Sequence, residues 1–472
     1  MMRHYPVLLF VFAGVLQCPM WHAHAAGADF FRPGPVAPAT LPARGVFPQG
    51  RIMHIGGYSP VATAVSALGG AVPLELAKAA GFTVAGPYYG PFEKSKATME
   101  RAAQLGMHVA AQLEVPPALR FSGAEAKDAL RLRGARMAAL GETALRAWVR
   151  ADMEQFLTNP ILNQAVSCWA IAPEELRPWI KAELDYEQAY LRAVKDFDPR
   201  RRPAFMYEPN NRTTEKLLQT GPGQGFVLEG AYVRGYGWDV RRSVRINWAL
   251  DQMTGAAAKD GRVVVPALEL SQDIPGFTAQ ELESDPSGRG RLRRLLRHDV
   301  YLAVARGARG IQVWSLFHSR PHMTTYPDLL KGYGEVFREL TAPPLNLQEA
   351  ILFGERREDI ALEVVEGPAS IGITQGRGSG GTELEAVEGK IDVGGQRWPA
   401  VRLANIAYGR ERVLIVVNSA TQPVRVRLRG IPAAAGMSIL SGDEAAEVKQ
   451  GEAGIEMAME PFAAVVVKVA GE

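Results

Sequence analysis

The stretch Ala165-Val166-Ser167-Cys168-Trp169-Ala170-Ile171-Ala172-Pro173-Glu174-Glu175 decides how the rest of the chain is read. Its first part, 165–172, is a mostly apolar run of strand length. Two carboxylates close it, and the segment 174–194 behind them carries apolar residues at helical spacing. A strand that ends on acids and feeds a helix is one βα unit. The same grammar recurs on both sides. Strands are expected at 51–57, 82–86, 107–114, 165–172, 202–207, 225–230, 262–270 and 309–314. Helical periods follow at 71–80, 93–105, 117–140 with 142–157, 174–194, 213–219, 240–257, 291–305 and 328–340. Eight repeats within about 300 residues predict an α/β fold of the (β/α)8 or TIM-barrel kind. An open doubly wound sheet is the competing arrangement. However, His54-Ile55-Gly56-Gly57 in the first strand lacks the Gly-rich phosphate fingerprint that such sheets use.

Beyond about residue 345 the helical period stops. Runs rich in β-branched residues at 413–418, 424–428 and 463–469 alternate with turns rich in Gly, Asp and Glu, which predicts a small β-sandwich over 346–472. The barrel then occupies 51–345. Residues 26–50, rich in Pro, Ala and Gly without periodicity, read as a linker. Residues 1–25 read as a secretory signal: Arg3 and His4, an apolar stretch 7–16, and the small-x-small sequence Ala23-His24-Ala25. An uncleaved anchor is the other reading of that segment. A lipoprotein cysteine at Cys18 fits poorly, because the bulky Gln17 precedes it. The expected location is outside the cytoplasm, periplasmic or extracellular, with no stable membrane insertion once the signal is cleaved.

Composition narrows the function. The 53 basic and 50 acidic residues leave a net charge of +3, too balanced for bulk attraction to nucleic acid. Two cysteines cannot form a disulfide scaffold, and cleavage would leave Cys168 alone, within an apolar run that suits a buried inert thiol. The basic residues Arg289, Arg291, Arg293, Arg294 and Arg297 are spaced as the solvated face of an amphipathic helix. The connections 116–140 and 271–290 are long and could act as lids over a cleft or be surface decoration.

In a parallel barrel the chemistry gathers where strands end. Here the third strand ends at Glu114, the fourth at Glu174 and Glu175, the fifth at Glu208, the sixth at Glu229, the seventh at Glu269 and the eighth at Trp314. Glutamate is disfavoured in strands, so its repetition at one rim suggests a shared polar site. For Glu174 and Glu175 a place in the first turn of the next helix is the alternative. Paired acids across a cleft suit glycoside hydrolysis, one protonating the leaving oxygen and the other attacking the anomeric carbon or activating water. Tyr88, Tyr89, Tyr232, Tyr236, Trp238 and Trp314 could stack on sugar rings, or could be packing residues. Asn210, Asn211 and Arg212 could bond hydroxyls. A metal site would draw on His54 or His318, with His108 and His322 less well placed. No metal and no cofactor is expected.

At these residues the chain resembles the clan of retaining glycoside hydrolases built on (β/α)8 barrels. Trp169-Ala170-Ile171-Ala172-Pro173-Glu174-Glu175 matches the clan's Trp-x-x-x-Asn-Glu-Pro type motif on strand four, with Pro173 in place of Asn and Glu175 in place of Pro. The resemblance implies Glu174 as acid/base and Glu269, ending strand seven, as nucleophile, with Glu175 and Glu229 as the alternates. It also implies a carbohydrate substrate contacted by Tyr88, Tyr232, Trp314, Asn210, Glu208, Glu229, His54 and Glu175, with Asn210 a substitute for the missing Asn. Pro461-Phe462-Ala463-Ala464-Val465 resembles the closing strand of the sandwich domain common in such enzymes. Carboxyl groups about 5–5.5 Å apart would mean retention and about 6.5–9.5 Å inversion. A carbohydrate-binding or polysaccharide-assembly protein without chemistry, and a metal-dependent hydrolase, are the alternatives.

Overall fold

The computed structural model describes residues 52–60, 74–89, 91–233, 235–270, 273–316, 324–373, 382–386, 389–431, 436–442, 446–451 and 454–470. The expected signal segment and linker, with His318 and His322, lie outside the described residues. The first part of the described chain alternates strand and helix. It runs through β1 (His54–Pro60), α1 (Leu74–Ala79), β2 (Val84–Tyr89), α2 (Phe92–Gln104), β3 (His108–Gln112), α3 (Ala129–Leu157) and α4 (Pro160–Ala165). Next come β4 (Val166–Ala170), α5 (Lys181–Phe197), β5 (Ala204–Phe205), β6 (Tyr207–Glu208), α6 (Thr214–Thr220), β7 (Phe226–Glu229) and α7 (Val240–Asp260). β8 (Val263–Val264), β9 (Ala267–Glu269), α8 (Ala279–Ser284), α9 (Gly288–Ala305), β10 (Gly310–Trp314) and α10 (Tyr326–Thr341) complete it.

Seven strands form a curled parallel sheet in the order β5-β4-β3-β2-β1-β10-β9, and β6-β7-β8 form a shorter parallel one. The chain passes from β5 to β6 through Met206, and from β8 to β9 through Val265 and Pro266. Proline has no N–H to give to a ladder, which accounts for the second interruption. A parallel bridge joins Gly230, just past β7, to Ala267 of β9.

Side chains alternate along each strand and sort into two cores. The concave face carries Tyr58, Val84, Ala110, Cys168, Ala170, Phe205, Tyr207, Phe226, Leu228 and Ala267. The convex face carries Ile55, Ala85, Val109, Trp169, Val227, Leu268 and Val313, packed under the helices. Trp169 therefore points away from the concave face. Its Nε1–H donates to Asp198 (2.9 Å), and Arg202 pairs with the same carboxylate while lying over the indole ring.

The helices begin and end where local chemistry allows. Asn159 caps α4 by accepting from the N–H groups of Ile161 and Leu162, with Pro160 in the first turn. Gly261, at φ 78°, ends α7 in a conformation that glycine adopts without strain. α3 breaks at Gly141 (φ 70°), the position that separates the two helical periods in the sequence. The helix expected from residue 174 starts only at Lys181. Glu175 sits in the left-handed region (φ 56°) and Pro178 lies close behind, so 173–180 is a loop.

From residue 348 on, α11 (Gln348–Phe353) leads into antiparallel strands. These are β11 (Glu355–Arg356), β12 (Ala361–Glu366), β13 (Ser370–Ile371), β14 (Glu383–Ala386), β15 (Gly389–Asp392), β16 (Trp398–Pro399) and β17 (Val401–Tyr408). β18 (Glu411–Asn418), β19 (Val424–Arg429), β20 (Met437–Gly442), β21 (Ala446–Gly451), β22 (Gly454–Met459) and β23 (Ala464–Ala470) follow. Two main sheets run β11-β17-β18-β23-β20 and β12-β19-β22-β21. The helix α9 lies against β17, β18 and β23. Four of the five arginines expected on the solvated face of α9 are matched by acids: Arg289 with Asp328, Arg291 with Asp285, Arg293 with Glu335, and Arg297 with Glu339. Arg294 lies over the Trp238 ring, and Arg297 is buried rather than solvated, because it also bonds Ser441 and the Ala464 carbonyl.

His54 lies inside the concave face, two strand positions below the aromatic residues that cap it. Its Nε2 shares a hydrogen bond with Gln312 Oε1 (2.9 Å), and its ring lies 5.8 Å from that of Phe226. Gly56 makes room for this pair, because a Cβ there would stand 2.1 Å from Gln312 Oε1 and 2.7 Å from His54 Nε2. Gly56→Ala is expected to destabilise the protein by about 1–3 kcal/mol in urea unfolding, the range for overpacking; an unchanged midpoint would refute the packing. Burial brings the His54 imidazole from 6.5 down to about 4. The unfolded chain therefore binds a proton that the folded chain refuses between those values. Its contribution to stability is complete above about 6.5 and is lost as pH falls toward 4, roughly 3 kcal/mol in all. Asp152, pushed up from 3.8 to about 6 by burial, acts in the opposite sense, its contribution complete below 3.8 and lost as pH rises through about 6. The stability difference between wild type and His54→Gln isolates the imidazole. Measured from pH 7 to pH 4, it should shrink by most of that amount, and a constant difference would show that the imidazole is not held neutral.

Candidate active site

At the ends of β1, β6, β7 and β10 the inward residues are aromatic. Tyr58 of β1, Tyr207 of β6, Tyr232 just beyond β7, and Trp314 of β10 meet there. The Tyr58 ring packs edge-on to Trp314 (5.0 Å) and to Tyr207 (6.1 Å), and Tyr207 stacks on Tyr232 (6.2 Å, 20°). The Tyr207 and Tyr232 hydroxyls hydrogen-bond to each other. Gly230 permits this approach. A Cβ there would lie 2.6 Å from the Tyr207 hydroxyl, 3.0 Å from Asn210 Cβ and 3.3 Å from the Tyr232 ring. Asn210 thus borders the aromatic floor, buried, with its carbonyl accepting from Arg245. Tyr88 and Tyr89 close β2, paired along the backbone with Ser59 and Pro60.

Three carboxylates reach this floor. Glu269 follows Ala267 by two positions, so it too is an inward residue; it pairs in register with Trp314 and is 9% exposed. Glu174 and Glu175 come from the loop after β4 and are half-buried. That loop is pinned from behind. Arg133 donates to the carbonyls of Glu174 (3.3 Å) and Glu175 (2.9 Å), and its guanidinium pairs with the buried Glu183, which Arg177 also binds. The Glu175 N–H donates to the Tyr207 carbonyl (3.2 Å). Burial raises the Tyr232 phenol first, and the charges of Glu269, Glu174 and Glu175 raise it further. One phenol therefore faces acids from the fourth and seventh βα units together.

The other acids at strand ends turn elsewhere. Tyr207 and Leu228 face the concave side, so their neighbours Glu208 and Glu229 face the helices. There Glu208 accepts from Thr220 Oγ1 (2.5 Å) and Arg212 Nε (3.3 Å), and Glu229 accepts from the Arg212 N–H (3.0 Å). Burial pushes both carboxyls up, and Arg212 and Arg245 oppose it. Both are thus members of a buried ionic cluster behind the sheet, away from the floor where substrate contact was expected. Glu114 accepts from the Phe92 N–H at the start of α2 (3.1 Å) and pairs with Arg120 (2.6 Å). Trp238 packs on Phe462 of the antiparallel region (4.8 Å). His54 lies below the floor, already bonded to Gln312, rather than at the rim.

Glu269 opens onto a narrow cleft also lined by Val233, Tyr236, Arg242, Asp273 and Ile274. The Asp273 carboxylate accepts from the N–H and hydroxyl of both Thr324 and Thr325, tying the loop after β9 to the start of α10. A wider groove lies on the antiparallel region, bordered by Arg294, Glu366, Arg425, Glu447 and Glu460, and holds none of the three acids. Cys168 is a free thiol on the concave face, pushed up to about 12 by burial and so unreactive near neutral pH. Among the described residues no group of three or more His, Cys, Asp or Glu side chains is placed to hold a metal ion, and no helix is long and apolar enough to cross a membrane.

Sequence reasoning missed Tyr58, Tyr207 and Arg242. The two tyrosines carry a usable signal, since each keeps the two-residue period of its strand's inward face. Arg242 carries none, because its partners come from distant parts of the chain.

No protein-family model and no curated protein matches the chain. Glycoside hydrolases are among its structural neighbours. They include the α-amylase of Geobacillus thermoleovorans complexed with acarbose (10% identity, TM-score 0.40, covering 84% of this chain and 91% of that one). A GH30 endoxylanase from Clostridium papyrosolvens (11%, 0.44, 91% and 98%) and the α-amylase from H. orenii (10%, 0.46, 88% and 99%) are two others. At TM-scores under 0.5 these are loose likenesses of fold.

Proposed function

We propose that the chain is an exported glycoside hydrolase working by a two-glutamate, retaining mechanism. In this reading the two parallel sheets are arcs of one (β/α)8 barrel spanning 51–345. The continuity of β5 with β6 and of β8 with β9, the pairing of β1 with β10, and the Gly230–Ala267 bridge support it. The antiparallel region is a β-sandwich over 346–472. Residues 1–25 are a cleaved signal, 26–50 a linker, and the enzyme acts in the periplasm or outside the cell.

The observation that carries the proposal is that Glu269, in register with Trp314, and the loop bearing Glu174 and Glu175, bonded through the Glu175 N–H to the Tyr207 carbonyl, meet one cluster of four aromatic rings. The half-buried Trp314 offers an aromatic face to the C–H face of a pyranose, with Tyr58, Tyr207 and Tyr232 buried in the same cluster, and carboxylates beside it suit the bond between two sugars. Glu269 is the nucleophile. It attacks the anomeric carbon, displacing the glycosidic oxygen and forming a glycosyl ester. Glu174 protonates the departing oxygen, then takes a proton from the water that cleaves the ester. Glu175 stands next to it on the same loop, while Glu229, the other alternate, lies behind the sheet. Asn210 borders the floor where a substrate hydroxyl would lie. A second reading, a carbohydrate-binding protein without turnover, is favoured by one observation: the cleft before Glu269 is narrow while the wider groove lies elsewhere.

Purified protein should hydrolyse at least one member of a panel of aryl glycosides and polysaccharides. Glu174→Ala and Glu269→Ala should each lower that turnover by about 10²–10⁴-fold or more, with the unfolding midpoint little changed. Turnover equal to wild type in either variant removes that residue from the mechanism. Calorimetric binding of an oligosaccharide with no hydrolysis anywhere in the panel selects the second reading.

A further inference from the structure

We propose that Arg242 is a positioning residue for Glu269, and that the C-terminal antiparallel region holds it in place through Ser419, His298 and Asp299. The inference rests on Glu269 being the nucleophile. Arg242 lies on α7, is 1% exposed, and shares the narrow cleft with Glu269. Asp299 of α9 grips one edge of its guanidinium, accepting from Nη2 (2.5 Å) and Nε (3.3 Å), while Nη1 donates to the Tyr236 carbonyl (3.0 Å). Each Nη atom also carries a second N–H.

Asp299 is itself held. His298 Nδ1 bonds Asp299 Oδ1 (2.9 Å), and His298 Nε2 bonds Ser419 Oγ (3.0 Å). Ser419 follows β18, and its N–H donates to the Ala400 carbonyl (2.7 Å), so the hydroxyl is fixed by the antiparallel region. Phe462 of the same region packs on the His298 ring (5.2 Å) and on Trp238 (4.8 Å). Trp238 stands two residues from Tyr236, whose carbonyl holds the other side of Arg242. The antiparallel region thus grips both supports of one buried cation.

Such an arrangement is not needed for stability alone, since apolar residues of similar volume often serve as well as a buried ion pair. Beside a carboxylate in a narrow cleft it has a use: a fixed cation favours the ionised nucleophile and restrains its rotamer. Burial opposes the charge on Arg242, but Asp299, then Tyr333 and Glu269, raise it overall. Tyr232, Tyr333 and Arg245 also face Glu269, and Asp273 lines its cleft. Arg242 is joined by hydrogen bonds to the C-terminal region, through Asp299, His298 and Ser419.

Ser419→Ala, Ser419→Thr, Phe462→Leu and Arg242→Lys test the proposal. On a hydrolysed glycoside, Ser419→Ala and Phe462→Leu should lower kcat roughly 10- to 100-fold, as a displaced positioning group does. KM should stay within about twofold, and Ser419→Thr should recover most of the loss; Arg242→Lys, lacking the fork, should lose at least as much. Unchanged kcat in Ser419→Ala, with only a lower unfolding temperature, would overturn the proposal. If wild type hydrolyses nothing, the glycosidase reading fails and a second readout still decides this one. In ¹⁵N- and ¹³C-labelled protein, Ser419→Ala should speed exchange of the Arg242 Nε–H and move the Glu269 carboxyl resonance. If both signals match wild type, the C-terminal region does not hold the pair.

Discussion

Alternation of side chains along the parallel strands is the constraint on which the molecule depends. Each strand presents one set of residues to the concave face and the other to the helices, and a shift of one position exchanges them. His54, Gly56 and Tyr58 rise along the inner face of β1, while Gly310, Gln312 and Trp314 rise beside them on β10. The polar His54–Gln312 pair deep inside is tolerated because the two bond each other, Gln312 also donates to the Gly86 carbonyl, and Gly56 leaves space. The same parity carries the aromatic floor at the strand ends and aims Glu269 inward.

The second constraint is that buried charge must be matched. The convex side meets it with Glu208 and Glu229 against Arg212 and Arg245, and with Asp198 against Arg202. The loop after β4 meets it with Glu183 between Arg133 and Arg177. That last set does more than neutralise charge. Arg133 also takes the carbonyls of Glu174 and Glu175, so an ionic group behind the loop orders two acids in front of it.

These two constraints explain what the sequence made legible. The alternation of apolar runs and helical periods located the parallel strands, and even the Gly141 break showed as a gap between periods. The acids at the ends of the fourth and seventh strands were legible because carboxylates are rare there. Glu208 and Glu229 met the same criterion, yet each sits one position off the inward set, and parity separates them from Glu269. The start of α5 was misplaced because amphipathic spacing continued upstream through a segment whose Glu175 is left-handed. Arg242 was beyond reach, since its setting depends on Asp299 and Tyr236, and through His298 on Ser419, residues brought together only by the fold.

The placement of the antiparallel region follows from the same logic of buried charge. α9 carries Leu295 and Leu296 into the core, and also His298 and Asp299, both almost fully buried. A helix with polar groups on its covered side needs a neighbour able to bond them, which an apolar sheet face cannot do. The antiparallel region supplies the Ser419 hydroxyl to His298, and Ser441 together with the Ala464 carbonyl to Arg297. Each of these bonds is exchanged for water if the region comes away, a net loss of about 0.5–1.5 kcal/mol for a neutral pair and about 1.5–3 kcal/mol for those of the Arg297 guanidinium. The two parts are therefore bound by polar complementarity as well as by apolar area, and the bond chain through His298 ends at the cation beside Glu269. A sheet region attached in this way is part of the scaffold that shapes the cleft.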